Sequence, residues 1–353
     1  MMSIRETVNS AKSGWMKADS PAGDIVVSSR VRVARNINGF SFPHLLEQEK
    51  AEQVIHGIQT ALDNSNLKTE LELNRMTELS PVERQILVEK HLISPDLLHN
   101  HEKKAVTLRD DEAISVMVNE EDHLRIQCLL PGLQLEKAWE LVNRVDDGLE
   151  STLDYAFSER YGYLTACPTN AGTGMRASVM LHLPGLVLIN QIKAVINAVS
   201  KLGFAVRGLY GEGTEAHGNL FQISNQVTMG HAEEEIINSL NSVTGQLLAQ
   251  EREARKVLIR ERREQLEDRV GRSYGILKFC HVISSEETMR RLSDVRLGVD
   301  LSLINGVNPD QLTELIVKTQ PAYLLKQHGG ELSPAQRDVL RAEIIRKEFN
   351  REG

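Results

Sequence analysis

Apolar and polar positions alternate with a period of two in several short stretches of the chain, and this pattern predicts β-strands. In residues 25–35, Val31 and Val33 alternate with Arg30 and Arg32, so the two arginines share one face of the predicted strand. The same arginine pair would also be typical of an exposed edge strand. Further strands are predicted over residues 113–118, 124–130, 177–183, 204–207 and 220–224.

Other stretches carry apolar residues at helical spacing. Ser80 and Glu83 form a capping box with a proline between them, which starts the helix that is predicted to carry His91. Similar start signals stand at Asn308 and Ser333. Helices are predicted over residues 46–62, 135–153 and 186–202, and one or two long helices over residues 233–268.

The order of these elements indicates the fold class. Strands occur in groups with helices between the groups, without the regular strand–helix alternation of a parallel sheet. We therefore predict an α+β fold with an antiparallel sheet flanked by helices. The predicted division places one domain in residues 1–255, with its core in residues 24–254, and a small all-α domain in residues 256–353.

Composition narrows the possible function classes. The chain of 353 residues has a formal net charge of −8, which argues against a general nucleic-acid binder. Its three cysteines lie far apart and match neither a disulfide framework nor a zinc ribbon, so a reducing, cytoplasmic compartment is expected. No apolar run approaches the roughly 20 residues of a membrane span, and the N-terminus lacks an apolar signal core.

Two polar stretches between predicted strands carry candidate chemistry. Residues 165–176 place Cys167 before a glycine-rich loop that closes on Arg176, a pattern typical of reactive cysteines and of anion sites. Residues 119–123 include three consecutive acids, which indicate either a solvated turn or carboxylates presented to a cleft. Cys128 lies on an apolar strand face and is predicted to be an inert core residue.

Four segments of the chain resemble, in the same order, the signature blocks of the ATP:guanidino phosphotransferases. They are residues 28–32, 119–125, 167–177 and 207–212, and the resemblance covers about residues 24–250. It implies the guanidino-kinase catalytic fold and the transfer of a phosphoryl group from ATP to a guanidinium group. Such a transfer depends on positioning and on the stabilisation of charge.

The resemblance also implies a nucleotide site rich in arginine, because guanidinium groups are permanently charged and match phosphate oxygens. Mg²⁺ would arrive bridging the ATP phosphates, and the sequence shows no dedicated metal cage. The resemblance places His91 at the nucleotide, although such a histidine is more often a surface or packing residue. The residues implied for the nucleotide are Ser28, Arg30, Arg32, His91, Arg125, Arg176, Ala177, Ser178, Val179, Met180, Arg207, Gly208 and Gly211.

For the acceptor, the resemblance implies two carboxylates, Glu121 and Glu212, that bind the guanidinium and accept its proton. Both functions are needed because a guanidinium has a pKa above about 12 and no free nitrogen lone pair at neutral pH. Cys167 is expected beside the acceptor as a thiolate that contributes orientation and charge, without a covalent intermediate. Ala171 departs from the leucine that many relatives carry in this loop.

A narrower resemblance is to the bacterial protein arginine kinases, which mark proteins for the Clp protease. Only 27 residues precede the first block, whereas phosphagen kinases carry a helical domain there, so an open acceptor site is expected. Arg337, Asp338 and Arg341 match a motif that binds phosphoarginine and activates these enzymes allosterically. On residue types alone, the three side chains would be a solvated helix face.

The resemblance also implies partners. They are protein substrates with exposed arginines, such as unfolded proteins and a transcription repressor, together with the Clp chaperone-protease, an activator protein and a second copy in a homodimer, in stress response and protein quality control. Neither a membrane nor a nucleic acid is expected as a direct partner. Two other functions stay open: a kinase for free arginine, and a non-catalytic adaptor that binds phosphoarginine.

Overall fold

The computed structural model describes residues 4–208 and 216–350. The strands are β1 (Val26–Arg35), β2 (Glu72–Arg75), β3 (Ala105–Leu108), β4 (Ile114–Val118), β5 (Leu124–Pro131), β6 (Phe157–Ser158), β7 (Gly162–Tyr163), β8 (Met175–His182), β9 (Phe204–Gly208) and β10 (Leu220–Asn225). Eight of them form the main sheet, with the order β2-β3-β4-β5-β1-β8-β10-β9, in which all neighbouring strands are antiparallel.

Helices flank this sheet and continue beyond it. They are α1 (Ile4–Asn9), α2 (Gln48–Asn64), α3 (Pro81–Glu89), α4 (Leu135–Glu150), α5 (Pro184–Leu188), α6 (Ile192–Lys201), α7 (Glu233–Glu261), α8 (Arg263–Phe279), α9 (Ser285–Asp300), α10 (Pro309–Lys318), α11 (Pro321–His328) and α12 (Pro334–Phe349). None of the helices in the described part of the chain is long and apolar enough to cross a membrane.

Strand β1 is at the centre of the sheet, because β5 pairs with one of its edges and β8 with the other. The edge-strand interpretation of its arginines is therefore wrong. The alternation of side chains along β1 sends Val31 and Val33 into the main core, where both are fully buried. Arg30 and Arg32 project from the opposite face and are half-buried.

The apolar face of the sheet packs against α2, α4 and α7. Burial of this face removes a large apolar area from water and is the main source of stability of the fold. Cys128 belongs to the same core, and burial raises the pKa of its thiol to about 12, in agreement with the predicted inert role. Helices α2, α4 and α7 cover this apolar side of the central strands. On the arginine-bearing side, Leu129 packs with Val317 of α10 and His182 hydrogen-bonds to Ser293 of α9, and a cavity remains over Arg30 and Arg32.

Two predicted helices differ from the structure. The capping box of Ser80 and Glu83 is present, but α3 ends at Glu89, so His91 lies just beyond it with φ 60°. The helix predicted over residues 186–202 is divided into α5 and α6, because Asn190 between them has φ 60°, in the left-handed region that a helix cannot continue through.

The C-terminal helices enclose a second core that includes Leu277, Leu292, Leu315 and Ile345. The predicted helix starts at Asn308 and Ser333 are confirmed, since both side chains accept a hydrogen bond from the first turn. The long helical stretch consists of two helices, α7 and α8. The predicted boundary at residue 255 falls within α7, and the division into two domains stays a prediction.

Candidate active site

Five arginines project from the same face of the sheet. Residues that lie opposite each other in an antiparallel ladder point to the same side. Arg32 is opposite Gln127 of β5 and Arg176 of β8, while Ala34, two positions along β1, is opposite Arg125. Arg207 reaches the same face through the ladder of Gln222, Met180 and Ser28. The arginines that this register brings together are Arg30, Arg32, Arg125, Arg176 and Arg207, which we call the arginine face.

The charges of the arginine face repel one another. Burial, followed by the charges of Arg125 and Arg176, lowers the pKa of Arg30 to about 10. Burial and the charge of Arg30 lower the pKa of Arg32 in the same way. The pKa of Arg176 is lowered by burial, then by Arg207 and Arg125. A bound polyanion would relieve this repulsion.

One donor on this face shows where an acceptor belongs. The Nε of Arg32 is buried and has no hydrogen-bond partner among the described residues. Buried donors are nearly always paired, so an unpaired one next to a cavity indicates a missing ligand acceptor. Phosphate oxygens are acceptors of the right kind and charge.

A cavity of about 490 Å³ opens over Arg30 and Arg32, with His91, Ser94 and Gln127 in its walls. This volume is in the range of small-molecule and cofactor sites. Burial, with the nearby charge of Arg30, lowers the pKa of His91 to about 4, so its ring is neutral near pH 7. A narrower recess continues from His91 and Arg30 to Ser28, Ser178, Met180 and Gln222.

Not all the residues predicted for the nucleotide face this cavity. Ala177 and Val179 send their side chains into the core on the opposite side of the sheet, where both are fully buried. Any contact that these two residues make with a nucleotide therefore comes from the main chain. Gly208 ends β9. Gly211 and the predicted acceptor residue Glu212 lie outside the described residues.

Hydrogen bonds hold the turn between β4 and β5 in one conformation. Asn119 has φ 56°, and its backbone N–H donates to the carbonyl of His123, which closes the turn. His123 is neutral, since its Nδ1 accepts from the amide of Ile37 at 3.0 Å and burial lowers its pKa to about 4. Asp122 Oδ1 accepts from Asn36 Nδ2 at 2.6 Å.

Glu120 belongs to the candidate site, although its sequence position alone did not distinguish it from Glu121. Its carboxylate accepts from Arg125 Nη1 at 2.6 Å, from Ser94, and from the amide of Glu121 at 3.1 Å. Burial opposes its ionisation, but Arg125 and the hydrogen bonds prevail, so the pKa of Glu120 lies below its usual value. Glu120 therefore holds one member of the arginine face in place. A clue in the sequence was Arg125, five residues from Glu120 across the turn.

Glu121 and Cys167 lie at the edge of the arginine face. Glu121 is exposed. Its Oε2 accepts from Asn170 Nδ2 at 3.5 Å, and Asn170 belongs to residues 165–176, which we call the cysteine loop. Its partial burial and the charge of Asp122 raise the pKa of Glu121 above its usual value. The charges of Cys167 and Glu121 both favour the charged form of Arg176, so these two residues act electrostatically on one member of the arginine face.

The cysteine loop is fixed by hydrogen bonds between its backbone and the side chains of Asp122 and Thr228. The amide of Ala166 donates to Asp122 Oδ1 at 2.7 Å, and Thr228 Oγ1 donates to the carbonyls of Thr169, at 3.0 Å, and Ala171, at 2.6 Å. Gly172 has φ 102°, and a Cβ there would lie 2.5 Å from the carbonyl oxygen of Thr228. Only glycine fits this position, which gives the loop one geometry.

The C-terminal motif is divided between surface and core. Arg341 is buried and donates from Nε to the Thr319 carbonyl at 2.9 Å and from Nη1 to the Ile283 carbonyl at 3.0 Å and to Asp338. Asp338 and Arg337 are half-buried on the first turns of α12. Arg341 thus has a structural role in addition to any role in binding.

Within the described ranges, no group of three or more His, Cys, Asp and Glu side chains is arranged to hold a metal ion. Phosphate-bound Mg²⁺ does not need such a group, because it keeps several waters and binds mainly through the nucleotide. The prediction of Mg²⁺ carried by ATP stays a prediction.

Two family models match the chain. The model described as "ATP:guanido phosphotransferase, C-terminal catalytic domain" matches residues 53–254, and the one described as "Protein-arginine kinase McsB C-terminal domain" matches residues 263–353. Proteins named protein-arginine kinase from Pelotomaculum thermopropionicum and Desulforamulus reducens are 62% and 58% identical to the chain, each over 99% of this chain and 99% of the relative.

Solved structures agree on the fold. A duplicated taurocyamine kinase from Schistosoma mansoni with bound transition-state analogue components has a TM-score of 0.58 and 26% identity, over 69% of this chain and 34% of that one. A lombricine kinase has a TM-score of 0.57 and 22% identity, over 70% of this chain and 76% of that one. The predicted antiparallel α+β fold is confirmed.

Proposed function

Because the chain belongs to the ATP:guanido phosphotransferase family and to its protein-arginine kinase branch, as its signature blocks predicted, we propose that it transfers the γ-phosphoryl group of ATP to arginine side chains of proteins. The observation that carries the proposal is that Glu121 contacts Asn170 of the cysteine loop, while the charges of Glu121 and Cys167 act on Arg176 of the arginine face. This arrangement joins a phosphate site and a guanidinium site at one point.

The arginine face binds the triphosphate and stabilises the charge that the moving phosphoryl group keeps. Arg32 offers its unpaired Nε, and Arg125 is oriented by Glu120. Mg²⁺, when bound with the nucleotide, neutralises phosphate charge. His91 and Ser28 line the cavity and the recess that would hold the rest of the nucleotide.

On the acceptor side, Glu121 would bind the guanidinium and align one nitrogen with the γ-phosphorus. The bond between the γ-phosphorus and the bridging oxygen of ADP breaks, a P–N bond forms, and the nitrogen proton passes to a carboxylate. A carboxyl whose pKa is raised, as that of Glu121 is, is a better base for this proton. Cys167, whose Sγ lies 3.0 Å from Thr169 Oγ1, would help to orient the acceptor guanidinium.

A protein substrate is favoured because the relatives that match over nearly the whole chain are named protein-arginine kinase. A kinase for free arginine is the second candidate, since the solved structures of similar fold are a taurocyamine kinase and a lombricine kinase. Comparing an arginine-containing unfolded protein with free arginine distinguishes the two.

We extend the proposal to regulation and partners. Arg337 and Asp338 on the first turns of α12 offer a cation for a phosphate and an acid for a guanidinium, which together suit phosphoarginine, with Arg341 holding Asp338 in place. Bound phosphoarginine would activate the kinase. The remaining parts of the proposal are a cytoplasmic homodimer, an activator protein, and delivery of phosphorylated proteins to a Clp protease during stress.

The test is incubation of the purified protein with ATP, Mg²⁺ and an unfolded protein, followed by mass spectrometry for acid-labile phosphoarginine. Glu121→Gln should lower kcat at least about 100-fold, the usual contribution of a positioned base. Glu49→Gln, at an exposed position of α2, is the matched control and should be fully active. Phosphate found only on serine, threonine or tyrosine would refute the proposal.

A further inference from the structure

The nucleotide cavity has a wall that comes from the C-terminal helices. Gln320 and Pro321, at the start of α11, line the same cavity as Arg30, Arg32 and His91. Both residues lie within residues 263–353, which the C-terminal domain model matches, whereas His91 and Gln127 in the same cavity lie within residues 53–254, which the catalytic domain model matches. The cavity is therefore built from two parts of the chain that belong to different family models.

Glu89 joins these two parts. It is the last residue of α3, it lines the cavity, and it is almost fully buried. Its Oε1 accepts from the amide of Ala322 at 2.9 Å and its Oε2 from the amide of Tyr323 at 3.3 Å. Glu89 thus satisfies first-turn amides of α11 in the way that an N-cap side chain would, although it is more than 200 positions away in sequence.

Contacts on both sides fix the segment 319–323. Ala322 packs in the core that Ile86 and Leu87 of α3 share. From the other side, Arg341 Nε donates to the Thr319 carbonyl at 2.9 Å. A small displacement of α11 would therefore move Gln320 and Pro321 relative to the arginine face.

We propose that residues 319–323 are part of the ATP site and that Glu89 is a positioning residue that holds this wall against the arginine face. The inference rests on the proposed kinase function for its ligand, a purine nucleoside triphosphate. It predicts that the C-terminal helices contribute directly to nucleotide affinity.

Glu89→Gln and Gln320→Ala in the full-length protein test the inference. Glu89→Gln keeps the size of the side chain but turns an amide donor toward an N–H, so we expect the Kd and the KM for ATP to rise about tenfold, as for the loss of one charge-assisted hydrogen bond. Gln320→Ala removes part of the wall and should raise both constants about threefold. The KM for the protein acceptor should stay unchanged in both variants.

Lys326→Gln is the matched control. It removes the Lys326–Glu83 ion pair of 3.6 Å, which joins the same two helices away from the cavity, and should leave the ATP constants unchanged. The inference is overturned if both test variants bind ATP within twofold of the wild type. It is also overturned if they weaken ATP and acceptor binding equally with a lowered unfolding temperature, which indicates general destabilisation. A wild-type protein that binds ATP without transferring phosphate would refute the proposed function but leave this binding test intact.

Discussion

Replacing Glu120 by glutamine removes the charge behind Arg125 without changing the shape of the side chain. Both carboxylate oxygens lie within 2.8 Å of Arg125 Nη1. The Glu120 side chain is 0% exposed and that of Arg125 is 18% exposed. Loss of one partner of a buried pair costs about 3–5 kcal/mol, and the partial exposure of Arg125 places the expected loss of stability near the lower end, about 3 kcal/mol.

The same substitution should reduce catalysis, because Arg125 would no longer be held toward the phosphates. If about 2–3 kcal/mol of transition-state stabilisation is lost, kcat/KM for ATP falls about 30- to 150-fold. Steady-state kinetics with varied ATP at saturating protein acceptor measure this effect. Urea unfolding of the same samples measures the change in stability.

Glu52→Gln provides the control for this experiment. Glu52 also pairs with an arginine, Arg75, at 2.6 Å, but the two side chains are 42% and 32% exposed. An exposed pair contributes only about 0–1 kcal/mol, and this one lies away from the cavity. If Glu120→Gln and Glu52→Gln have the same free energy of unfolding and the same kcat/KM for ATP, then Glu120 does not position Arg125.

Three further outcomes follow from buried groups and strained backbone. Burial raises the pKa of Glu89 to about 7 in the folded protein, while the same carboxyl in the unfolded chain has a pKa near 4.5. Because the unfolded chain releases this proton at lower pH than the folded protein does, the free energy of unfolding falls as the pH rises from about 4.5 to about 7. Urea unfolding should show the wild type losing about 3 kcal/mol relative to Glu89→Gln over this range, and parallel pH profiles would contradict it. Gly172→Ala should be about 2–3 kcal/mol less stable than Gly203→Ala, since both positions have positive φ but only the first Cβ would meet a carbonyl, at 2.5 Å. Arg341→Ala should lower the thermal unfolding midpoint by several degrees, because three hydrogen-bond acceptors lose their donor. Arg337→Ala should weaken phosphoarginine binding and leave the midpoint unchanged. Equal unfolding midpoints of the two variants would refute this division of roles.

Local patterns were sufficient to predict the central part of the site. The alternation along β1 placed Arg30 and Arg32 on one face, because side-chain direction in a strand has a fixed period of two. The capping signals at Ser80 and Ser333 were equally reliable, since the side chain and the amide that it accepts from are three residues apart. The signature blocks supplied the family.

The burial of individual polar residues and the contacts between distant segments could not be predicted in this way. Three consecutive acids at residues 120–122 look alike in sequence, yet Glu120 is buried against Arg125 while Glu121 is exposed next to Asn170. No local sequence pattern indicates the hydrogen bond between Glu89 and the start of α11, because the two residues that form it are 233 positions apart. Both features depend on tertiary packing, which local sequence patterns do not encode.

The central position of β1 has a consequence for the synthesis of the protein. Its partner β5 is complete only about a hundred residues after β1, and β8 about 150 residues after it. At about 5–20 residues per second, both edges of β1 stay unpaired for roughly 5–20 seconds on the ribosome. Unpaired strand edges are templates for aggregation, and charged side chains oppose it. Arg30 and Arg32, for which we propose phosphate binding in the folded protein, would therefore also protect the nascent chain before the sheet closes around them.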